Sequence, residues 1–302
     1  MATVTDWLEG ARVRTLPASV SPVIAGAGIA LWEGTLYGPI LALAFVLALL
    51  LQIGVNFAND YSDGIRGTDD HRTGPPRLTG GGTVRPGVVL AVALTCFALA
   101  ALVGLIIIAW CGQWWLIGVG VAALLAAWFY TGGRHPYGYM GLGEVFVFIF
   151  FGLVATAGTV YIQGGTVPWQ AWVAASAVGL IACAILMANN IRDIPTDAVT
   201  GKHTLAVRLG DTWARRVYVV MLAVAMGCGV VLALAPSTHQ ASLLLYLPAF
   251  AIAFRNSWRM LSRGPSRAQG RGLIPVLKTT GITELAFALA VLVSFWASSL
   301  LV

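Results

Sequence analysis

Residues 38–70 read GPILALAFVLALLLQIGVNFANDYSDGIRGTDD, so that a long apolar run passes directly into a segment rich in amides and carboxylates. If the helix of the apolar run continues, polar residues at spacings of three and four share one of its faces. These residues are Asn56, Asn59, Asp60 and Asp63. Carboxylates crowded at one end of a membrane-length helix repel one another unless a cation lies between them. The stretch therefore predicts a membrane helix that ends in a cation site.

The whole chain is rich in apolar residues. Its 302 residues are 58% hydrophobic and only 10% charged, and the mean hydropathy is +0.83. Since a soluble domain carries about 25% charged residues, we expect a polytopic membrane protein that forms one transmembrane domain over residues 1–302. In such a protein the net charge of +6 reflects topology rather than nucleic-acid binding, and we expect membrane lipid but no nucleic acid as a partner.

Nine apolar runs approach the ~20 residues that a helix needs to span a bilayer. They cover residues 16–33, 38–58, 87–110, 114–131, 142–162, 169–189, 213–235, 241–258 and 279–302. No segment alternates with a period of two, as the strands of a membrane barrel do. The predicted fold is an all-α integral membrane protein, a bundle of nine transmembrane helices.

The basic residues predict the orientation of this bundle. With nine helices, all 18 Lys and Arg fall on one side, and the opposite connections carry Glu33 as their only charge. By the positive-inside rule, that side and the N-terminus are cytoplasmic. We therefore expect a multi-pass protein of the cell membrane, with its polar motifs and any active site open to the cytoplasm.

A second polar motif follows the sixth predicted helix. The sequence ANNIRDIPTD (188–197) shares with ANDYSD (58–63) an Ala-Asn pair and an Asp four residues after the Asn. The two motifs lie four helices apart, which suggests that helices 1–4 and 5–8 are related halves with helix 9 added. Pro195 is expected to break or bend the sixth helix, so spacing alone does not assign Asp197 to a face.

Facing carboxylates of this kind suit a diphosphate bound through magnesium. Mg²⁺ takes a few carboxylates, keeps some waters and bridges to substrate phosphates. With metal ions drawing charge from the leaving group, an allylic carbon–oxygen bond can ionise. The apolar bundle beneath would hold an isoprenoid tail and shield the carbocation from water.

The motif pair NDYSD (59–63) and RDIPTD (192–197), on the second and sixth of nine predicted helices, resembles the UbiA superfamily of intramembrane aromatic prenyltransferases. Within it, four segments resemble the 1,4-dihydroxy-2-naphthoate polyprenyltransferases of menaquinone biosynthesis. The segments are 11–23, 56–70 with GPPR (74–77), 130–152 and 189–210. One departure is Val13, where the family pattern has proline between two arginines.

The resemblance implies that a polyprenyl group passes from polyprenyl diphosphate to 1,4-dihydroxy-2-naphthoate, with loss of CO₂ to give demethylmenaquinol. It also implies a UbiA-like bundle, two or more Mg²⁺ ions that bridge the diphosphate, and a set of site residues. Catalytic metal ligands would be Asp60, Asp63, Asp193 and Asp197, supported by Asn56, Asn59 and Asn189. Diphosphate contacts would come from Arg66, Arg134, Lys202 and Arg208, and acceptor contacts from Arg14, Tyr130 and Tyr137.

Other interpretations remain open at this point. The asparagines could cap or bridge helices, and the loop arginines could contact lipid headgroups. Glu144 and Glu284 each lie near the expected start of a helix, where a carboxylate suits the helix dipole. The acceptor could instead be 4-hydroxybenzoate or a sugar phosphate. A membrane transporter is a further alternative, although transporters place their charges near the bilayer midplane.

Overall fold

The computed structural model describes residues 2–67, 77–235, 237–238 and 240–300, without the side chains of Arg14 and Gln240. Within these ranges the chain forms helices and no strand, which confirms the all-α prediction. The helices are α1 (Val4–Gly10), α2 (Leu16–Trp32), α3 (Gly38–Ile65), α4 (Pro86–Cys111), α5 (Leu116–Phe129), α6 (Gly143–Gly164), α7 (Trp169–Val199), α8 (Leu205–Ala233), α9 (Leu243–Leu261) and α10 (Leu273–Ser299).

Each of the nine predicted membrane segments coincides with one of the helices α2 to α10. Within the described part of the chain, six helical segments are long and apolar enough to cross a membrane, namely α3, α4, α6, α7, α8 and the segment Gly270–Ser299 that contains α10. Helices α2 and α5 are apolar but shorter. A membrane protein with several spans is therefore confirmed, while the number nine stays a prediction.

Helices α3 and α7 extend beyond their predicted C-terminal ends, and both extensions carry polar motifs. Helix α3 runs on to Ile65, and α7 continues through Pro195 to Val199. Pro195 was expected to break or bend this helix, and the helix does not break there. Proline removes one backbone hydrogen bond and adds a steric conflict, but the long helix around it persists. Asp193 and Asp197 therefore lie four residues apart on a continuous helix.

Helix α7 lies at the centre of the packing, where it contacts α2, α6, α8 and α10. Part of its contact with α6 is made by glycine: a Cβ on Gly152 would lie 2.6 Å from the Cα of Gly179. Between Phe148 and Ala157, α6 is wound as a π-helix, a variant that is frequent at functional sites.

Away from α7, a separate cluster of apolar side chains joins α3 and α4. The pairs α3–α4 and α7–α8 correspond under the proposed duplication, which stays a hypothesis.

The two helix-dipole expectations have different outcomes. Glu144 is in the first turn of α6, where its carboxylate suits the dipole as expected. Glu284 does not lie near a helix start, because α10 begins at Leu273 rather than at residue 279. It is fully buried in the interior of α10, where the favourable field of the first turn does not act.

Candidate active site

Both polar motifs face one cavity of about 1240 Å³, which is lined by residues of α1 to α7 and α10. The extension of α3 brings one motif to its wall and the extension of α7 brings the other. All seven residues predicted to hold or support the metal line this cavity, namely Asn56, Asn59, Asp60, Asp63, Asn189, Asp193 and Asp197. Two segments more than a hundred residues apart in the chain thus form one acidic wall.

Asp60 binds the backbone of the loop segment that precedes α4. Its carboxylate accepts hydrogen bonds from the backbone N–H groups of Leu78, at 3.0 Å, and Thr79, at 2.9 Å. The close approach depends on Gly64, because a Cβ there would lie 2.4 Å from the Thr79 side chain. Each oxygen of an ionised carboxylate has a second lone pair, so Asp60 can still bind a cation from the cavity.

Asp63 is the most heavily coordinated acid of the site. Its carboxylate is 3% exposed and accepts a hydrogen bond of 2.6 Å from the Tyr139 hydroxyl. It also pairs with Arg77 at 3.0 Å and with Lys202 at 3.2 Å. The Lys202 ammonium lies over the Tyr139 ring, 4.7 Å from its centroid. Asp63 therefore joins the end of α3 to three loops, through charge-assisted contacts.

The two acids of α7 differ in their contacts: Asp193 pairs with an arginine, whereas Asp197 pairs with none that the structure describes. Arg192 contacts the Asp193 carboxylate at 2.7 and 2.6 Å and donates to Asn189 Oδ1 at 2.8 Å. The Asp197 carboxylate lines the same cavity without a hydrogen bond or ion pair to any described residue. An acceptor-only group that faces a cavity in this way is available to a cation.

Two of the predicted asparagines also connect α3 to segments outside the helices. Asn59 Oδ1 accepts a hydrogen bond of 2.7 Å from the Thr131 hydroxyl, and Asn56 Nδ2 donates to the carbonyl of Ala11 at 2.9 Å. Each amide thus ties α3 to another segment at the cavity wall. Both contacts join α3 to the chain next to another helix, whereas a direct bridge between helices is not observed for these two residues within the described ranges.

Of the four cations predicted to contact a diphosphate, only Lys202 lines the cavity. Arg66 donates to the carbonyl oxygens of Thr131 and Gly133. Arg208 is exposed and donates to the carbonyl of His203 at 3.1 Å, and Arg134 is exposed in its loop. For Arg66, Arg134 and Arg208 a contact with substrate stays a prediction.

The predicted acceptor residues Tyr130 and Tyr137 both line the cavity. Their rings meet at 5.6 Å and 71°, and the Tyr137 ring stacks on Phe146 at 4.0 Å. The Tyr137 hydroxyl donates to the carbonyl of Ala126 at 2.7 Å. Burial raises the pKa of Tyr137 above its ordinary value, so its phenol stays protonated at neutral pH. The predicted role of Arg14 falls on a side chain outside the described part of the chain.

Many residues that were not selected from the sequence also line the cavity, and five of them contribute polar groups close to the acids. They are Arg12, Arg77, Thr131, Tyr139 and Arg192. From the sequence, these arginines were used only to predict topology. One cue could have identified them from the sequence: a buried acidic helix end requires cations, and these must come from the loops that cover it. Nothing in the local sequence distinguishes Tyr139 from Tyr137 or Tyr61.

The donor set fits magnesium. Carboxylate and amide oxygens are the hard ligands that Mg²⁺ prefers, and this ion is commonly held by one or two carboxylates together with substrate phosphates. Within the described residues, no group of three His, Cys, Asp or Glu side chains is placed to enclose a metal ion by itself. The cations Arg12, Arg77, Arg192 and Lys202 on the same wall suit phosphate oxygens.

Away from the acids, the cavity wall becomes apolar. It is formed by small and aliphatic residues, among them Ala101, Gly104, Gly120, Ala123 and Gly158. Because these side chains are short, the helices leave a continuous space between them. The cavity thus has a polar, cation-lined end and an apolar end, which suits a ligand with a charged head and a long hydrocarbon tail.

Comparison with known proteins identifies relatives over nearly the whole chain. The model of the family described as "UbiA prenyltransferase family" matches residues 19–282. The 1,4-dihydroxy-2-naphthoate octaprenyltransferase of Mycobacterium tuberculosis is 49% identical over 293 residues, which cover 96% of this chain and 97% of the relative. The protein of the same name from Escherichia coli is 36% identical, with coverage of 97% and 96%.

Solved structures share the fold at much lower identity. A UbiA homolog from Archaeoglobus fulgidus bound to GPP and Mg²⁺ has a TM-score of 0.67 at 14% identity, with 95% of this chain and 99% of that chain covered. The apo structure of a UbiA homolog from Aeropyrum pernix K1 has a TM-score of 0.65 at 17% identity, with 93% and 97% covered. The likeness extends over the full bundle.

Proposed function

The chain belongs to the UbiA prenyltransferase family, and we propose that it transfers a polyprenyl group from polyprenyl diphosphate to 1,4-dihydroxy-2-naphthoate. The carboxyl group leaves as CO₂ and the product is demethylmenaquinol, on the way to menaquinone. One observation carries this proposal: two Asp motifs from separate helices line the polar end of a cavity whose other end is apolar. The names of relatives at 36% and 49% identity favour the naphthoate over 4-hydroxybenzoate or a sugar phosphate.

The acids of this cavity would hold Mg²⁺ together with the diphosphate. Asp60, Asp63, Asp193 and Asp197 supply carboxylate oxygens, and Asn189 supplies an amide beside them. When bound, Mg²⁺ neutralises charge on the leaving diphosphate as a Lewis acid. We propose two or more ions, since acids lie on both α3 and α7.

The cations and the Tyr139 hydroxyl position the charged groups. Lys202 and Arg77 both contact Asp63, so each lies where it can exchange part of that contact for a phosphate oxygen. Tyr139 donates to the same carboxylate and keeps one of its oxygens oriented. Such preorganised donors act strongly in a site from which water is excluded.

The apolar end would bind the tail and protect the allylic cation. Its wall excludes water, which would otherwise capture the cation before the acceptor ring attacks. The faces of Tyr130, Tyr137 and Phe146 offer negative π-density to a cation beside them. The electron-rich ring of the naphthoate then attacks the allylic carbon, and diphosphate leaves through the polar end.

The membrane arrangement follows from the same charges. We propose that the chain forms one domain over residues 1–302 in the cell membrane, with nine spanning helices and a cytoplasmic N-terminus. The active site would open to the cytoplasm, where diphosphate and Mg²⁺ are soluble. The one-sided distribution of all 18 Lys and Arg supports this orientation, and the surrounding partner is membrane lipid.

The proposal predicts a magnesium-dependent product. Purified protein in detergent, incubated with octaprenyl diphosphate, dihydroxynaphthoate and Mg²⁺, is expected to form a prenylated naphthoquinol without its carboxyl group. EDTA is expected to abolish the product, because the acids of the cavity cannot bind a diphosphate of like charge by themselves. Mass spectrometry distinguishes the decarboxylated product from a prenylated product that retains the carboxyl group. Absence of product with every prenyl donor would refute the proposal.

A second prediction concerns the tail. Gly158 lines the cavity, and a Cβ there would meet no atom within 4 Å, so that Gly158→Leu can fold while it narrows the apolar end. We expect kcat/KM for octaprenyl diphosphate to fall by roughly tenfold or more relative to geranyl diphosphate, since steric misfit in apolar pockets has effects of this size.

The matched control is Gly227→Leu on α8. An added Cβ at Gly227 also meets no atom within 4 Å, but this residue does not line the cavity. In Gly227→Leu, the ratio of kcat/KM for octaprenyl diphosphate to kcat/KM for geranyl diphosphate is expected to equal the wild-type ratio. An unchanged ratio in Gly158→Leu would show that the tail does not occupy this part of the cavity.

A further inference from the structure

Glu144 is a buried acid for which the mechanism above has no use. It lies in the first turn of α6 and is 5% exposed. Its Oε1 accepts a hydrogen bond of 3.2 Å from Asn190 Nδ2, while its Oε2 is buried without a partner among the described residues. A carboxyl group in such a place costs free energy. Ionisable residues inside membrane proteins are commonly functional.

The backbone around Glu144 is held against α7 and the cavity wall. The Cys183 thiol of α7 donates to the carbonyl oxygen of Glu144 at 3.0 Å. The absence of a side chain at Gly143 leaves room for Tyr130 and Leu186, whose atoms would lie 3.2–3.4 Å from a Cβ there. The position of the carboxyl group is therefore fixed relative to Tyr130, a residue of the cavity wall.

The contact with Glu144 decides how the Asn190 amide is oriented. A side-chain amide has a donor end and an acceptor end of nearly the same shape, and its orientation is set by its hydrogen bonds. Because Oε1 of the carboxyl takes the Nδ2 end, the carbonyl oxygen of Asn190 must point away from Glu144. Asn190 lines the cavity, and no group in the described ranges donates to its Oδ1.

We propose that Glu144 is a positioning residue that turns the carbonyl oxygen of Asn190 toward the cavity, where it accepts a hydrogen bond from a ring hydroxyl of the aromatic acceptor. This inference rests on the proposed function. A phenol that donates to a carbonyl pushes electron density into its ring, which favours attack on the allylic carbon. No proton is transferred in this contact. Asn190 precedes Asp193 by one helical turn, so the ring is held beside the diphosphate site.

The test compares binding of dihydroxynaphthoate with binding of its two mono-methyl ethers, in which one hydroxyl can no longer donate. Affinities are measured in detergent, without prenyl donor and under reducing conditions, by quenching of tryptophan fluorescence. Wild-type protein is expected to bind the parent compound about five- to tenfold more tightly than one of the two ethers, the size of one net hydrogen bond. In Asn190→Leu and Glu144→Leu this discrimination is expected to disappear.

Glu284→Gln is the matched control, because it removes another buried carboxylate, one without a hydrogen bond to Asn190, and discrimination should persist in it. Steady-state kinetics add a second readout: KM for the naphthoate rises in Asn190→Leu, while KM for the prenyl diphosphate is unchanged. If Glu144→Leu does not fold, Asn190→Leu decides the outcome.

Equal discrimination in wild type and Asn190→Leu, or none in a wild-type enzyme that forms product, would overturn the role of Asn190. Full discrimination in a folded Glu144→Leu would overturn the role of Glu144. A wild-type protein that neither binds the naphthoate nor prenylates it would instead refute the proposed function.

Discussion

Asp63→Asn is expected to lower kcat/KM for prenyl transfer by about a thousandfold, which corresponds to roughly 4 kcal/mol of transition-state stabilisation. The substitution keeps the shape of the side chain but removes the charge that would bind Mg²⁺. It also removes the negative charge that Arg77 and Lys202 contact at 3.0 and 3.2 Å. We therefore expect the Mg²⁺ concentration for half-maximal activity to rise as well.

The matched control is Glu33→Gln, which removes a carboxylate charge at an exposed position remote from the cavity. Surface substitutions of this kind change free energies by about 0.5 kcal/mol or less, so its activity should stay within about twofold of wild type. Thermal unfolding in detergent would show whether Asp63→Asn is folded. A folded Asp63→Asn variant with most of the wild-type rate would exclude Asp63 as a required metal ligand.

Lys202→Met is expected to lower kcat/KM by about 10- to 100-fold, the range for loss of one hydrogen bond to a charged group. Methionine retains most of the length of the side chain and its contact with the Tyr139 ring, 4.7 Å from the ammonium. Since the lost group binds the diphosphate in our proposal, the change should appear mainly in KM for the prenyl diphosphate. KM for the naphthoate should change little.

Arg208→Met provides the comparison for this variant. Arg208 lies in the same region of the sequence and was also predicted to contact the diphosphate, but its side chain is exposed and bonds to the carbonyl of His203. If the cavity geometry governs function, this variant should retain near-wild-type kinetics. Equal losses in the two variants would mean that Arg208 reaches the substrate in the bound state, and that the distinction drawn from the cavity is wrong.

The sequence by itself determined the class of protein and the composition of the acidic wall. Nine apolar runs coincide with helices because a bilayer imposes a minimum length on any apolar segment that crosses it. The face shared by Asn56, Asn59, Asp60 and Asp63 follows from helical periodicity alone. The resemblance of the two motifs to one enzyme family was also readable, since they retain both spacing and residue type. Run length, helical periodicity and motif spacing are local properties of the chain, so they do not depend on how the helices pack.

The tertiary structure decided which residues accompany the acids. Arg66 and Arg77 are both loop arginines in the sequence, yet Arg66 binds carbonyl oxygens while Arg77 reaches Asp63. Tyr139 donates to that carboxylate, whereas Tyr137 donates to a backbone carbonyl on α5. Their spacing in the chain does not distinguish them, because each contact joins segments distant in sequence and depends on how the helices pack.

The same reason explains Glu144, Asn190 and Pro195. Glu144 was correctly expected at a helix start, but its bond to Asn190 exists only because α6 packs on α7. Pro195 was expected on local grounds to break or bend its helix, and the helix continues without a break to Val199. Spacing along one helix determines which side chains share a face. Only the packing of helices against one another determines what that face meets.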